Sequence, residues 1–337
     1  MKAFVMRAPG GLDCLEIIEH SDPGAPGPGE IRVAVHATSL NYHDLLVATG
    51  QFPAADGRVL MSDGAGVVEV VGSGVTEFKP GDYVVSCFFP QWQDGLPQAP
   101  VGSFAGVPGD GIDGFASSHA VRSAHAFTHA PRGWSHAEAA TITTAALTAW
   151  RALVADGGLK AADVVLALGT GGVAIAALQI AKLMGAAVII TSSSDEKLER
   201  ARALGADHVI NYRQHADWGT RARDWTGGRG VDHVLEIGGP GTLAQSIEAV
   251  RVGGHISLIG VLTGLSGDVP TAQLMTKQAR LQGLIVGSRR QQQEFVAALN
   301  LSDIRPVIDR SFTFEQLPDA VRHQERGAHF GKICVEW

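Results

Sequence analysis

The sequence predicts an α/β protein with two domains, one built on a doubly wound parallel sheet and the other rich in β-structure. Apolar runs of strand length alternate with helical patterns between residues 125 and 299. Such alternation is typical of a parallel sheet with helices on both faces. Residues 1–124 instead contain short β-branched runs bounded by glycine, proline and aspartate. A chain of 337 residues is long enough for two domains of ordinary size.

We expect the β-rich domain to span residues 1–124 and to be completed by residues 300–337. Its predicted strands are Ile31–Val35, Gly66–Val71, Tyr83–Ser86 and, in the tail, Lys332–Trp337. The tail returns to mixed patterns, so it could fold back onto the N-terminal domain. The range 88–114 has little periodicity, which predicts either a long surface excursion or a lobe over a site.

The parallel-sheet domain is expected over residues 125–299. It begins with a helical stretch, Ser135–Val154. The strand-like runs that follow are Val164–Leu168, Val188–Thr191, His208–Ile210, Val231–Ile237, His255–Ile259 and Leu281–Val286. The helical patterns between them are Val173–Met184, Glu196–Leu204, Trp218–Trp225 and Leu243–Val250. This order predicts strands joined by helical crossovers.

A glycine-rich turn, Gly169-Thr170-Gly171-Gly172-Val173-Ala174, directly follows the first of these strands. Gly169 permits a tight turn, Gly171 lacks the Cβ that would block a pyrophosphate, and Ala174 allows close packing of helix and strand. Backbone N–H groups at the helix start would then face the phosphates. An ordinary glycine-rich turn is the alternative, but the strand–turn–helix setting favours a Rossmann-type site for a nicotinamide dinucleotide. We expect Gly169, Thr170, Gly171, Gly172 and Val173 to bind it.

The residues after the next strand bear on the choice between NAD and NADP. NAD sites usually hold the ribose with an Asp or Glu about 20 residues further on, whereas here Ser192-Ser193-Ser194 follows the strand. Hydroxyls of Ser192 or Ser193 can donate to a 2′-phosphate, and Lys197 can supply positive charge. Ser193 and Glu196 also fit a capping box, so the serines could serve the helix instead. The pattern favours NADPH as the cofactor.

Charge and cysteine content narrow the classes of partner. The formal net charge is −7, which argues against nucleic acid because that partner favours a basic face. The three cysteines are far apart in the sequence, which fits a reducing compartment and points to the cytoplasm. The most apolar stretch, residues 164–181, is interrupted by glycines. A strand followed by a helix explains it better than a membrane span.

Further motifs resemble the medium-chain dehydrogenase/reductase superfamily, and within it the zinc-independent, quinone-oxidoreductase-like group. They are Ser39-Leu40-Asn41-Tyr42-His43-Asp44, Ser62-Asp63-Gly64-Ala65-Gly66, Val75-Thr76-Glu77-Phe78-Lys79-Pro80-Gly81-Asp82, Ala145-Ala146-Leu147-Thr148-Ala149-Trp150 and Gly205-Ala206-Asp207-His208-Val209-Ile210-Asn211-Tyr212. With the glycine turn, they extend the resemblance over essentially the whole chain. The resemblance implies a GroES-like β-rich domain beside a Rossmann domain, and an assembly of two or four identical subunits.

The resemblance also bears on zinc. Zinc-dependent relatives have a cysteine at the position of Asn41, a histidine at Ser62 and a third ligand at Thr144, and of that cluster only Asp63 keeps a carboxylate. Amide and hydroxyl oxygens are poor substitutes for thiolate and imidazole on zinc. The range 88–114 lacks the four cysteines of a structural-zinc lobe. We therefore expect no metal at either position.

By the same resemblance, further residues belong to the cofactor site. Tyr212 is expected near the adenosine phosphate end, while Gly238, Val261 and Leu262 are expected along the path of the nicotinamide ribose. The set beyond the glycine turn is Thr144, Thr148, Ser192, Ser193, Lys197, Tyr212, Gly238, Val261, Leu262, Gly287, Ser288, Arg289 and Lys332. Tyr212 could instead cover a strand end, and Lys332 could be an exposed strand residue.

The candidate catalytic residues are Asn41, Tyr42 and Asp44. Asn41 can donate a hydrogen bond to a developing oxyanion, Tyr42 or His43 can relay a proton, and Asp44 can position a neighbour. Asp44 and Asp63 could instead accept backbone N–H bonds in turns.

The absence of zinc ligands predicts the class of substrate. Hydride addition to a conjugated acceptor spreads the charge into an enolate or hydroquinone anion, whereas a plain ketone gives a localised alkoxide that needs a Lewis acid more. The sequence therefore predicts an NADPH-dependent reductase of quinones or α,β-unsaturated carbonyl compounds, acting on a small-molecule electrophile. A zinc-free alcohol or aldehyde dehydrogenase and a non-catalytic NADPH-binding protein are the alternatives.

Overall fold

The protein is described by a computed structural model that covers residues 1–337. The chain divides into two compact units. Unit 1 consists of Met1–Leu147 together with Val286–Trp337, and unit 2 consists of Thr148–Ile285. Unit 1 is rich in β-strands, and unit 2 alternates strands with helices, as the sequence predicts.

Sixteen strands form the sheets of the two units. In chain order they are β1 (Lys2–Met6), β2 (Leu15–Glu19), β3 (Glu30–Ser39), β4 (Arg58–Val59), β5 (Ala65–Val71), β6 (Tyr83–Ser86), β7 (His119–Ser123), β8 (Phe127–His129), β9 (Val164–Leu168), β10 (Ala187–Ser192), β11 (His208–Asn211), β12 (Val231–Glu236), β13 (Val250–Leu258), β14 (Arg280–Gly283), β15 (Ile308–Thr313) and β16 (Lys332–Glu336).

Eleven α-helices accompany them, and none is long and apolar enough to cross a membrane. They are α1 (Tyr42–Ala48), α2 (Ala99–Ser103), α3 (His136–Ala140), α4 (Leu147–Trp150), α5 (Gly172–Leu183), α6 (Asp195–Ala203), α7 (Trp218–Trp225), α8 (Pro240–Ala249), α9 (Thr271–Thr276), α10 (Arg289–Leu299) and α11 (Leu317–Glu325). Two π-helical segments, Ile142–Ala146 and Arg151–Ala155, flank α4. Short 3₁₀ turns lie at Leu12–Cys14, Ala124–Ala126 and Phe314–Gln316.

The boundaries of the units differ from the expected domain limits at 125 and 299. Helix α3 packs on β3 and β5, and α10 packs on β8, all within unit 1. A helical pattern shows that a segment is helical but not which sheet it covers. The expected limits placed residues 136–140 and 289–299 with the parallel-sheet domain, whereas they pack within unit 1.

Unit 1 is completed by the last part of the chain. Its larger sheet has the order β15-β16-β3-β5-β6-β8, with β7 also paired to β3. β16 runs antiparallel to β3, with Cys334 opposite Ser39, and β15 adds to the outside of β16. The fold-back of the tail that the sequence suggests is thus observed. Along β3 the buried positions Ile31, Val33 and Val35 alternate with partly exposed ones, because one face of the strand meets the core.

Unit 2 contains a six-stranded parallel sheet with the order β11-β10-β9-β12-β13-β14. This is the order of a doubly wound Rossmann sheet, in which ligands bind at the carboxyl ends of the strands. β9 is buried at every residue, as a central strand covered on both faces should be. The segments that follow β9, β10, β12 and β13 therefore lie along one edge of this sheet.

A buried glutamate shapes the turn after β12. The carboxylate of Glu236 accepts hydrogen bonds from Gly238 N at 2.7 Å, Gly239 N at 3.0 Å, Thr242 Oγ1 at 2.6 Å and Ser246 Oγ at 2.5 Å. These donors satisfy a charge that would be costly to bury alone. Glu236 thus fixes the path of the chain from β12 into α8.

Two buried histidines face each other on neighbouring strands of unit 2. His233 on β12 and His255 on β13 are paired in register, with ring centroids 6.3 Å apart. Arg280 Nε lies 2.5 Å from His255 Nδ1 and donates to it, and His233 Nε2 lies 3.1 Å from an oxygen of Asp163. Burial, then the charge of Arg280 and the neighbouring His233, lowers the pKa of His255 to about 4.

This lowered pKa predicts acid destabilisation. Between about pH 6.5 and pH 4 the unfolded chain binds a proton at His255 that the folded chain does not, so the stability present above pH 6.5 is lost as the pH falls toward 4. We expect His255→Gln to flatten the decline in the free energy of unfolding over this range, measured by urea denaturation. The exposed control His125→Gln should keep the wild-type slope. A wild-type slope in His255→Gln would contradict this assignment.

Candidate cofactor and active site

The glycine turn between β9 and α5 has the geometry of an anion-binding turn. Gly169 takes a φ of +79°, which a residue with a side chain rarely adopts. Helix α5 begins at Gly172 with Gly171 as its N-cap residue, and no side chain caps it. Its first N–H groups therefore have no intrahelical or side-chain acceptor. Thr170 and Val173 complete a turn that can hold a pyrophosphate.

The end of β10 brings further predicted residues to the same edge of unit 2. The hydroxyl of Thr191 accepts from Gly169 N at 3.3 Å, and Tyr212 N donates to Ser192 O at 3.1 Å. Ser192 is buried, whereas Tyr212 is 43% exposed. The structure therefore places Ser192 and Tyr212 side by side, close to the strand that leads into the glycine turn.

The serine run caps its helix differently from the sequence-based alternative. Ser194, not Ser193, is the N-cap of α6, and its hydroxyl accepts from Lys197 N. The capping box expected between Ser193 and Glu196 is thus wrong by one residue, because the helix begins at Asp195. Ser193 lies just before the cap, so its hydroxyl is not used in capping α6.

One acidic residue at this edge was missed by the sequence reasoning. Asp195 is the first residue of α6, and its carboxylate accepts from Asn211 Nδ2 at 2.6 Å and Gln214 Nε2 at 3.0 Å. Its place directly after the serines was a visible signal. Since both oxygens are held by neighbouring amides, Asp195 stabilises the connection between α6 and β11.

The loops after β12 and β13, which contain the residues expected along the nicotinamide ribose path, lie together. Thr263 N donates to Gly238 O at 2.8 Å, which holds the loop containing Val261 and Leu262 beside Gly238. Val261 and Leu262 are 40% and 50% exposed. Thr148, also expected at the cofactor, is buried in α4.

Unit 1 contains a buried polar cluster centred on Asp63. Its side chain is fully buried. Ser39 Oγ donates to Asp63 Oδ2 at 2.6 Å, and Thr144 Oγ1 donates to Asp63 Oδ1 at 2.6 Å. Lys332 Nζ lies 3.7 Å from Asp63 Oδ2. This cluster joins β3, β16, the π-helical segment 142–146 and the turn before β5.

Asn41 is held tightly within the same cluster. Its Oδ1 accepts from Lys332 Nζ at 2.6 Å, and its Nδ2 lies 3.1 Å from Asp44 Oδ2, 3.3 Å from Ser39 O and 3.4 Å from Ser62 Oγ. The amide hydrogens therefore point into the protein. The predicted role of Asn41 as a donor to an oxyanion does not fit this arrangement, because its donors already have acceptors.

Asp44 has the structural role that was the alternative to catalysis. Its carboxylate accepts from Asn41 N and from Ser62 N, each at 2.8 Å. These bonds fix the start of α1 against the turn before β5. The sequence could not decide between the two roles because the Ser62 contact is tertiary.

The electrostatics of Asp63 follow from its burial. Burial, partly offset by the charge of Lys332, raises the pKa of Asp63 to about 6, and the nearby Asp44 adds to the rise. The hydrogen bonds from Ser39 and Thr144 act in the opposite direction because they stabilise the ionised form. Asp63 therefore titrates closer to neutral pH than an ordinary aspartate.

Tyr42 and His43 differ in accessibility. Tyr42 is 45% exposed, so its phenol can meet a ligand. The ring of His43 stacks on Phe104 at 5.3 Å and meets the edges of Phe52 and Phe88, while its Nε2 lies 3.3 Å from Asp110 Oδ2. His43 thus anchors the range 88–114 through Phe104 and Asp110, and Tyr42 is the more accessible of the two for proton transfer.

The segment 287–289 serves structure within unit 1. Ser288 caps α10 in a capping box with Gln291. Arg289 is buried, with Nε donating to Phe127 O at 2.8 Å and Nη2 donating to Glu77 Oε1 at 2.6 Å. At Gly287 an added Cβ would lie 2.8 Å from Gln291 Oε1. The Arg289 guanidinium is therefore committed to Glu77 and Phe127 and does not have the free charge that the predicted cofactor contact would use.

The residues around Asp63 do not fit a zinc ion. Zinc sites use thiolate, imidazole and carboxylate ligands, and this cluster offers one such group, Asp63, beside amide and hydroxyl oxygens. The ammonium of Lys332 already contacts Asn41 Oδ1 and faces Asp63, so a metal ion would meet a positive charge there. Across residues 1–337, no group of three or more His, Cys, Asp or Glu could hold a metal.

Comparison with known families gives two matches that together cover most of the chain. Residues 27–132 match the alcohol dehydrogenase GroES-like domain, and residues 172–303 match the zinc-binding dehydrogenase family. A zinc-type alcohol dehydrogenase-like protein of Schizosaccharomyces pombe is 41% identical over 97% of this chain and 96% of its own length.

Solved structures give the same relationship. A putative alcohol dehydrogenase from Sinorhizobium meliloti is 43% identical, with a TM-score of 0.93 over 100% of this chain and 98% of the other. An NAD-dependent alcohol dehydrogenase is 34% identical, with a TM-score of 0.90 over 100% of both chains. A crotonyl-CoA carboxylase/reductase in complex with NADP is 27% identical, with a TM-score of 0.87 over 100% and 94%.

The full-length similarity, the GroES-like unit and the Rossmann unit agree with the resemblance seen in the sequence motifs. The chain therefore belongs to the medium-chain dehydrogenase/reductase superfamily, a family of oxidoreductases.

Proposed function

We propose that the chain is an NADPH-dependent reductase of quinones or α,β-unsaturated carbonyl compounds that works without zinc. The donor set around Asp63 carries this proposal: it combines one carboxylate with amide and hydroxyl oxygens and with the ammonium of Lys332. A site of this composition is suited to reactions in which no Lewis acid is needed on the substrate oxygen. The relative described as a crotonyl-CoA carboxylase/reductase adds a precedent for an acceptor with a conjugated carbonyl.

The chemistry of conjugated acceptors matches the groups that the chain provides. NADPH, when bound, supplies the hydride. The negative charge that follows is delocalised, so a single hydrogen-bond donor and a proton from solvent or a phenol are sufficient. Tyr42, which is 45% exposed, is the residue that we assign to this proton transfer. Asn41 and Asp44 then act by holding the start of α1, on which Tyr42 is the first residue.

A panel of acceptors tests the reaction type. We expect the kcat/KM for a small quinone or an alkyl enone to exceed that for oxidation of secondary alcohols by about 100-fold, since a missing Lewis acid costs several kcal/mol at a localised alkoxide. Treatment with EDTA should leave the rate unchanged. Equal rates with alcohols, or activity lost on chelation and restored by zinc, would refute the proposal. Tight NADPH binding without turnover on any electrophile would favour a non-catalytic role.

The proposal that NADPH is preferred over NADH rests on the residues that follow the carboxyl end of β10. Ser193 lies outside the helix cap, Lys197 is the third residue of α6, and the carboxylate of Asp195 is held by Asn211 and Gln214. A 2′-phosphate can accept from the serine hydroxyls and gain from the lysine charge. Because a related alcohol dehydrogenase is NAD-dependent, NADH is the alternative cofactor for this chain.

The cofactor preference is measured directly from kinetics. We expect the kcat/KM for NADPH to exceed that for NADH by about tenfold or more, and Lys197→Ala to reduce this ratio by about tenfold, as loss of one charge-assisted contact implies. The control Lys182→Ala removes a lysine of helix α5 whose side chain pairs with Asp207. This variant should leave the ratio unchanged. Equal efficiency with both cofactors in the wild type would exclude the assignment.

The proposal includes the setting in which the enzyme works. Its partner is a small-molecule electrophile and not nucleic acid, in keeping with the net charge of −7. All three cysteines are free, which suits a reducing compartment such as the cytoplasm.

The proposal also includes a homodimer or homotetramer. The edge strand β14 leaves one row of backbone groups unpaired in unit 2, and exposed edges are usually covered. Exposed apolar side chains in the same unit include Val252, Leu265 and Met275. Light scattering after size exclusion should give two or four times the chain mass of 35.3 kDa. A single-chain mass at micromolar concentration would contradict this expectation.

A further inference from the structure

The ammonium of Lys332 is buried in unit 1 at a position where a surface strand residue would be expected to point outward. The residue is 6% exposed. Its Nζ donates to Leu40 O at 2.5 Å and to Asn41 Oδ1 at 2.6 Å, and it lies 3.7 Å from Asp63 Oδ2. A lysine is buried this fully only when its charge is paired and hydrogen-bonded.

The charges around this ammonium explain why it is there. Asp63 and Asp44 are both buried, and two carboxylates in one low-dielectric region destabilise each other. Lys332 is the positive group that faces Asp63. Removing one partner from such a cluster leaves an uncompensated buried charge, which is far more destabilising than loss of an exposed ion pair.

The same ammonium also fixes an orientation. Because Lys332 donates to Asn41 Oδ1, the Nδ2 group of Asn41 must face Asp44, Ser39 O and Ser62. The amide therefore has one orientation only, and with it the residue before Tyr42 is fixed. A neutral side chain at position 332 would remove the donor that selects this orientation.

We propose that the ammonium of Lys332 takes the place of the metal ion that zinc-dependent relatives hold, and that it positions Asn41 and the Asp63–Thr144 pair instead of binding the dinucleotide. This inference extends the proposed zinc-free reaction and rests on it for its role in turnover. Lys332 is a positioning residue, since it acts through Asn41 and Asp63. Its influence reaches Thr144 because the Thr144 hydroxyl shares the Asp63 carboxylate with Ser39.

A double-mutant cycle tests the charge balance without any substrate. We expect Lys332→Met to lower the thermal unfolding midpoint by roughly 5–10 °C. Asp63→Asn in the Lys332→Met background should restore a large part of that loss, because it removes the carboxylate left without a cation. The control Lys182→Met, at the exposed pair with Asp207, should shift the midpoint by about 1 °C or less. An unchanged midpoint in Lys332→Met, or no restoration in the double variant, would overturn the proposal.

A second measurement separates positioning from cofactor binding. The Kd for NADPH, measured by titration of protein fluorescence, should stay within about threefold of the wild type in Lys332→Met. The kcat for the best conjugated acceptor should fall by about tenfold or more, with little change in the KM for NADPH. A Kd raised by about tenfold at an unchanged midpoint would show that Lys332 binds the cofactor and would sink the inference.

The role of Lys332 can still be decided if Lys332→Met does not fold or if the protein does not reduce conjugated acceptors. If Lys332→Met alone does not fold, the Lys332→Met/Asp63→Asn double variant should fold, and its failure to do so counts against charge balance. If wild-type protein turns over no conjugated acceptor, the proposed function fails. The midpoints and the NADPH Kd still decide the role of Lys332.

Discussion

The buried carboxylate of Asp63 links segments of unit 1 that are far apart along the chain. Ser39 at the end of β3 and Thr144 in the π-helical segment donate to it, and Lys332 at the start of β16 supplies the opposing charge. An ionised group that is out of contact with water is tolerated only when its surroundings supply such donors. The positions of these segments and of this one side chain therefore constrain each other.

For the chemistry of the site, the polar residues fall into two groups: buried residues that support the site and an exposed residue that can meet a ligand. Asn41, Asp44 and Lys332 satisfy one another inside the protein, whereas Tyr42 projects from the same helix start and is exposed. Rigid support beneath an accessible group is the usual way in which a site keeps its geometry. Residues that look catalytic by their type can thus belong to the support.

The sequence predicted the parallel sheet well because its signal is local. Each central strand is a continuous apolar run, and the glycine turn stands between a strand and a helix, so both were visible in short windows. The start of β13 was placed five residues late, at His255 instead of Val250, because Gly253 and Gly254 interrupt the apolar run. The N-cap of α6 is Ser194, one residue after the expected Ser193, because adjacent serines offer more than one possible cap.

The polar cluster was the part that the sequence could not provide. Lys332 and Asn41 are 291 positions apart, and no local pattern shows that a lysine at a strand start turns inward. The same holds for Arg289, whose partner Glu77 lies in a different part of unit 1. Motif resemblance assigned these positions to the catalytic and cofactor sites, but burial and partners decide what each side chain does.

The arrangement of strands in unit 1 has a consequence for how the polypeptide reaches this state. Unit 2 is continuous in sequence, so it can form all its contacts once residue 285 has left the ribosome. Unit 1 needs β15 and β16, which are made last. Until they are made, Ala37–Ser39 of β3 lack their partner strand and Asp63 lacks the charge of Lys332. Unpaired strand edges of this kind make a partly folded chain prone to misassembly.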